Sequence, residues 1–212
     1  MSELKTLTEA VIKGDINTAV AETHKYIDAG TDINEIINQG LIAGMDDVGE
    51  KFSKGQFFVP QMLRAAKTMH ECMKLLQPLL KEGEIISKGK VLIGTVKGDL
   101  HDIGKNLVSM MLEGAGFTIT DLGVDVAPDK FVQKVQEFEP DIVAMSALLS
   151  TTMPSMPLTI EAFQKAGIRD NIKIMIGGAP VTEKYAREIK ADAYASDAGA
   201  AVSKAKQLLG IS

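Results

Sequence analysis

The sequence predicts an α/β protein: a small N-terminal helical bundle followed by a doubly wound parallel sheet. Two observations predict it. Residues 1 to about 82 carry only three- and four-residue apolar spacings, the signature of amphipathic helices. Beyond residue 90, short β-branched runs alternate with helical stretches, the pattern of strand–helix–strand units.

In the first half, Leu4, Leu7, Ala10 and Val11 form one helical face, and Gly14-Asp15 breaks it. Ile16, Val20, Thr23 and Ile27 predict a second face that stops at Ala29-Gly30. Asp32, with Glu35 three residues on, marks the start of a third helix. Ile36, Ile37, Leu41, Met45 and Val48 supply its apolar side. After the Lys54-Gly55 turn, Pro60 suits the first turn of a fourth helix. That helix carries Met62, Ala65, Ala66, Met69, Met73, Leu76 and Leu80. Charge and glycine at both ends of residues 81–90 place a boundary there, dividing the chain into domains 1–85 and 86–212.

In the second half, strands are expected at Val91–Val96, Phe117–Thr120, Asp141–Met145 and Ile172–Ile176, with a weak fifth near Ala193-Tyr194. Helices are expected at about 102–115, 128–138, 155–167, 182–190 and 199–209. This order predicts a flavodoxin-like or Rossmann-like domain, whose ligands bind at the carboxyl ends of the strands. Fold alone does not assign a function.

Composition narrows the class. The 212 residues are 45% hydrophobic and 24% charged, ordinary for a globular protein. No apolar run approaches the ~20 residues needed to span a bilayer, and the N-terminus lacks the basic and apolar regions of a signal peptide. The lone Cys72 rules out an intramolecular disulfide and fits a reducing compartment, so a cytoplasmic protein is expected, with no redox role for that thiol. A net charge of −5, no dense basic block, no Trp and few other aromatics argue against nucleic acid and membrane partners. The eleven methionines point to adaptable core packing.

The chemistry concentrates at the strand ends. Asp99-Leu100-His101-Asp102-Ile103-Gly104 lies in the loop between the first strand and its helix. A histidine there can ligate a metal while the nearby carboxylate holds its other ring nitrogen; taken alone, the loop equally fits a solvated histidine. The turn after the third strand clusters Ser146, Leu148, Ser150, Thr151 and Thr152, and that after the fourth opens on Gly177-Gly178. Paired glycines allow a ligand close to the backbone, although they also suit a tight exit turn. There is no GxGxxG after the first strand and no GxxxxGK[ST], which removes the basis for a dinucleotide or P-loop site. With His24 and His70 both in the helical half, a zinc site built from protein alone is not expected. One histidine suffices where a macrocycle supplies the other donors.

Asp99-x-His101-x-x-Gly104, then residues 105–145, then Ser146-x-Leu148, then residues 149–176, then Gly177-Gly178, resembles the cobalamin-binding signature of methionine synthase and its relatives. The stretch GEKFSKGQFFVPQMLRAAKTM resembles the helical cap of that family. Together they cover nearly the whole chain, which looks most like the free-standing corrinoid proteins of methylamine and related methyltransferase systems. The resemblance implies that His101 is the lower axial ligand of cobalt, displacing the cofactor's own base into a slot lined by Ser146 and Leu148 and floored by Gly177 and Gly178. It implies that Asp99 accepts a hydrogen bond from His101, with Thr152 standing where methionine synthase has a serine. Phe52, Val59 and Met62 match cap positions over the upper face, though Val59 and Met62 differ from the methionine synthase residues. Phe57 and Phe58 fit either that role or a bundle core. Lys105 and Asn106 are expected only to begin the helix.

The implied function is a methyl carrier, non-catalytic on its own, working with cobalamin as methylcobalamin and Co(I) corrinoid in one-carbon metabolism. Its implied partners are a substrate:corrinoid methyltransferase, a methylcorrinoid:acceptor methyltransferase using a thiol or tetrahydrofolate, and a corrinoid reductive activator. The axial histidine must bind in one cobalt state and leave in the other, and an Asp–Thr relay suits that change. An apolar cap that excludes oxidants must also move to admit partners. Two alternatives are weighed: the small subunit of an adenosylcobalamin-dependent mutase, which lacks this cap, and a cobalamin sensor, which no DNA-binding pattern supports.

Overall fold

The computed structural model describes residues 4–80 and 87–211. The expected division between residues 85 and 86 therefore lies outside the described residues. The chain divides into two compact units, residues 1–87 with 114–116, and residues 88–113 with 117–212.

In the helical unit, α1 (Lys5–Lys13) ends on Gly14 in the left-handed conformation. Helix α2 (Ile16–Asp28) is capped by Asp15, whose carboxylate accepts the Thr18 N–H at 3.1 Å and the Thr18 hydroxyl at 2.7 Å. Its buried face is Ala19, Thr23 and Tyr26, with Ile16, Val20 and Ile27 only half-buried. The face is thus turned from the expected one, the Tyr26 ring taking the place given to Ile27. Asp32 caps the short α3 (Ile33–Glu35), accepting the Glu35 N–H at 3.1 Å. The expected single third helix is wound as a π-helix over Ile36–Ile42 before α4 (Ala43–Ser53). Helix α5 (Val59–Leu76) has Pro60 in its first turn, and the Phe58 N–H donates to Gln61 Oε1 at 3.0 Å. A 3₁₀ turn at Gln77–Leu79, carrying Pro78, ends the helix before Leu80.

The second unit is an all-parallel sheet of β1 (Lys90–Thr95), β2 (Thr118–Asp121), β3 (Ile142–Ser146), β4 (Lys173–Gly177) and β5 (Ala193–Ala195). Each expected strand lies within one or two residues of its place. Helices α6 (Ile103–Gly114), α7 (Pro128–Phe138), α8 (Ser155–Lys165), α9 (Glu183–Glu188) and α10 (Ala198–Leu209) alternate with them. The strand order β2-β1-β3-β4-β5 is the flavodoxin-like one. Leu92, Val143, Met145, Ile174 and Ile176 pack with Phe131, Val135, Met156, Ile160 and Phe163 into one core. The Phe131 and Phe163 rings meet edge to face.

This topology sets the site. The strand order reverses between β1 and β3, so the loops leaving those strands part at one crevice. The register aligns Thr95, Ser146 and Gly177 in one row at the carboxyl ends.

Candidate functional site

Asp99, in the loop after β1, is completely buried. Its Oδ1 accepts the His101 backbone N–H at 3.1 Å and faces His101 Nδ1 at 2.7 Å. Its Oδ2 accepts the Leu148 N–H at 2.7 Å, the Leu149 N–H at 3.3 Å and the Thr152 hydroxyl at 2.7 Å. The Thr152 Oγ also lies 2.9 Å from the Leu149 carbonyl. A hydroxyl has one proton and a carboxylate can only accept, so that proton belongs to Asp99. Burial, the largest influence, pushes the Asp99 carboxyl up. The bonds from Thr152, the His101 ring and the His101 and Leu148 amides together outweigh it and hold the group well below the usual carboxylate range.

An ionised Asp99 fixes the neutral His101 ring as the Nδ1–H tautomer. Nε2 is then the nitrogen left to ligate. The ring is half-exposed, and its main chain is held by the buried Thr95, whose hydroxyl donates to the His101 carbonyl at 2.9 Å. Around it stand apolar side chains that the protein does not cover: Leu100 is 72% exposed and Ile103 79%, with Leu148 and Leu149 each 43%. Large exposed apolar groups beside one oriented imidazole make a landing surface for a flat apolar ligand.

The glycines divide into two kinds. Gly178 has φ +123°, and a Cβ there would stand 1.9 Å from the Ala147 carbonyl oxygen, so the fold itself requires glycine. At Gly104 a Cβ would meet nothing within 4 Å, and its exposed place at the start of α6 stays open.

Residues 89–203 match the B12 binding domain family, and residues 3–77 match a second B12 binding domain family. The dimethylamine corrinoid protein 1 of Methanosarcina acetivorans is 45% identical over 209 residues, 97% of each chain. The trimethylamine corrinoid protein of Methanosarcina barkeri is 43% identical over 205 residues, 96% of this chain and 94% of that one. The chain belongs to the B12-binding corrinoid proteins. Its fold is shared with a cobalamin-binding protein from Desulfitobacterium hafniense, at TM-score 0.81 and 33% identity over 97% of this chain and 98% of that one. The methanol:cobalamin methyltransferase complex MtaBC of Methanosarcina barkeri contains a chain at TM-score 0.86 and 26% identity, covering 98% of this chain and 79% of that one.

The residues present fit a corrinoid. A single oriented imidazole, uncovered apolar side chains and open space at Gly104 are what a macrocycle bringing its own equatorial nitrogens requires. Among the described residues no group of three or more His, Cys, Asp or Glu could hold a bare metal ion.

Of the anticipated residues, the fold brings together Asp99, His101, Thr152 and the Leu148 backbone in one hydrogen-bonded cluster. Ser146 and Gly177 share a register row, with Gly178 beside them. In the helical unit of this corrinoid protein, Phe52 and Val59 are half-buried and Met62 is fully buried. Phe57 is half-buried beneath the Lys51 ammonium, while Phe58 is 64% exposed.

Sequence reasoning missed several supports. Thr95 and Ser155 look like any hydroxyl residue, yet Ser155 donates to the Lys97 carbonyl at 3.0 Å and braces the loop from the far side. The Tyr185 hydroxyl donates to the Met153 carbonyl at 2.9 Å, steadying the turn that carries Thr152. Lys105 does more than begin a helix: its side chain is buried, and its ammonium bonds Asp121 and, at 2.7 Å, Asn106 Oδ1. The partners of Tyr185 and Ser155 lie 32 and 58 residues away, beyond any local pattern.

Proposed function

We propose that this protein is a methyl carrier: it holds cobalamin with His101 as the lower axial ligand and presents a methyl group in turn to two partner methyltransferases. The observation that carries the reading is the buried Asp99 carboxylate, which gathers five donors and holds His101 by Nδ1, leaving Nε2 to ligate. Bound cobalamin supplies a metal that accepts and releases a methyl group. Every other task falls to the chain.

His101 donates the Nε2 lone pair and must be able to withdraw it. On withdrawal Nε2 takes up a proton, and the resulting imidazolium is balanced by the Asp99 carboxylate at Nδ1. The Thr152 hydroxyl and the Leu148 and Leu149 amides spread that negative charge, so no uncompensated ion is left in the buried loop. Ser146, Leu148, Gly177 and Gly178 would line the space for the displaced nucleotide tail, and the exposed Leu100 and Ile103 would offer apolar surface to the macrocycle. In the helical domain 1–85, Phe52, Val59 and Met62 would be the residues that keep water and oxidants from the bound cofactor.

The donor is assigned as a methylamine, on the strength of relatives named as dimethylamine and trimethylamine corrinoid proteins. One partner is the methylamine:corrinoid methyltransferase. A second passes the group to a thiol or tetrahydrofolate, and a reductive activator restores Co(I) after oxidation. The carrier is non-catalytic alone and works in the cytoplasm; among the described residues no helix is long and apolar enough to cross a membrane. The match of residues 3–77 to a B12 binding family supports methyl transport over the mutase-subunit alternative.

The test is the visible spectrum of the full chain loaded with methylcobalamin, beside that of His101→Ala. The wild type shows the histidine-ligated spectrum and the variant loses it. Identical spectra would remove His101 from the metal.

A further inference from the structure

The loop after β1 is laced along its length to the loop after β2. The Thr95 N–H donates to the Gly123 carbonyl at 2.9 Å, and the Val126 N–H donates to the Thr95 carbonyl at 3.0 Å. Beyond these, one residue makes two further ties. The Asp125 N–H donates to the Asp99 carbonyl at 3.0 Å, and Asp125 Oδ1 accepts the Gly98 N–H at 2.7 Å. Asp125 thereby grips the main chain on either side of Asp99. It does so with φ +54°, a conformation that non-glycine residues adopt at a cost and that Asp and Asn tolerate best. A surface turn with no further duty would be expected to carry glycine at such a position.

We propose that Asp125 is a positioning residue for the axial histidine. By holding the Lys97–Gly98 and Asp99–Leu100 peptides it fixes where the Asp99 Oδ1 stands, and so the angle at which the His101 ring meets its ligand. The side chain supplies the half of the grip that can be removed; the Asp125 N–H stays whatever residue is there. The inference rests on the reading of His101 as axial ligand, and its test separates the two.

Three variants divide the roles. Asp125→Asn keeps an Oδ1 acceptor and the tolerance for positive φ. Asp125→Gly relieves the backbone and removes the acceptor. Asp125→Ala removes the acceptor and keeps the strain. In the cofactor-free full chain, hydrogen exchange at the Gly98 amide is slow in wild type and Asp125→Asn, and about 5-fold or more faster in Asp125→Gly and Asp125→Ala. In the 15N-labelled full chain loaded with unlabelled cobalamin reduced to Co(II), the two-line 15N splitting in the electron paramagnetic resonance spectrum counts the histidine-ligated fraction apart from the three-line splitting of the cofactor's own base. The ligated-to-unligated ratio falls about 5-fold in Asp125→Gly and Asp125→Ala and returns in Asp125→Asn. All measurements are made well below each variant's melting temperature, so that loss of fold is not read as loss of aim. If Asp125→Gly matches wild type in both readouts, Asp125 is a turn residue only and the proposal fails while the axial reading stands. If the two-line 15N splitting persists in His101→Ala, the axial reading fails and takes the proposal with it.

Discussion

Two fully buried side chains, Asp99 after β1 and Met62 in α5, belong to the two halves of this corrinoid protein and are buried for different reasons. Met62 is apolar, and enclosing it stabilises the fold with no further condition. Asp99 is a carboxylate whose burial is unfavourable until donors from two loops, those after β1 and β3, arrive together. A buried thioether is satisfied by packing alone, whatever further use the proposal gives it. A buried carboxylate with five donors, one of them a half-exposed imidazole, records a task.

The comparison breaks first on pH. Met62→Ala should cost about 2–5 kcal/mol through lost contacts and the cavity left behind. Asp99→Asn should cost about 3 kcal/mol at neutral pH, because an amide nitrogen faces donors where a carboxylate oxygen accepted them. The two losses then diverge. The folded Asp99 carboxyl sits below its unfolded value near 3.9. At low pH the unfolded state therefore binds the extra proton, and the stabilisation is present above about pH 4 and is lost as pH falls toward the folded value. Cofactor-free protein should show the Asp99→Asn deficit narrowing below pH 4, with the Met62→Ala deficit unchanged. Denaturant titrations between pH 3 and 7 measure both, and parallel deficits would mean that Asp99 is buried uncharged.

Thr152→Val sharpens the polar side of the comparison. Valine keeps the shape and deletes the hydroxyl that reaches Asp99 Oδ2 at 2.7 Å. A loss of about 1–2 kcal/mol in the cofactor-free protein is expected. With cobalamin bound, the histidine-ligated fraction should fall about 10-fold, since the charge that balances His101 is less well held. Thr152→Ser should restore both. Rescue of stability without rescue of ligation would confine Thr152 to packing.

The same contrast explains what could be read from sequence. Buried parallel strands are unbroken apolar runs, so β1, β3 and β4 announce themselves. Asp99 and His101 are two residues apart in one loop, within reach of local spacing. Asp125, Ser155 and Tyr185 act through bonds that exist only once separate segments meet at the sheet edge, and hydroxyl or carboxylate residues in loops carry no mark of that. In the helical half, the turned face of α2 and the π-helix at Ile36–Ile42 escape a rule that assumes 3.6 residues per turn and equal weight for every apolar residue. The Tyr26 ring outweighs Ile16 and Ile27 in that competition. The cap residues are the least legible, because an apolar side chain that shields a ligand and one that fills a core obey the same pattern.

Gly104 offers the smallest effect on the fold and the cleanest separation of fold from function. Its φ is ordinary, a Cβ there meets nothing within 4 Å, and it lies at the start of α6, where alanine is the better helix former. Gly104→Ala should therefore leave the cofactor-free protein as stable as wild type or up to about 1 kcal/mol more stable. The fold does not require glycine at this position, so the substitution tests what approaches from outside. A methyl group added beside His101 should crowd the macrocycle and weaken cobalamin binding by about 10-fold, the scale of a single overpacked contact. Thermal unfolding of the cofactor-free variant, paired with cobalamin titration, reads the two effects separately. A stable variant that binds cobalamin as tightly as wild type would move the macrocycle away from Gly104, and with it the face on which His101 is assigned to ligate.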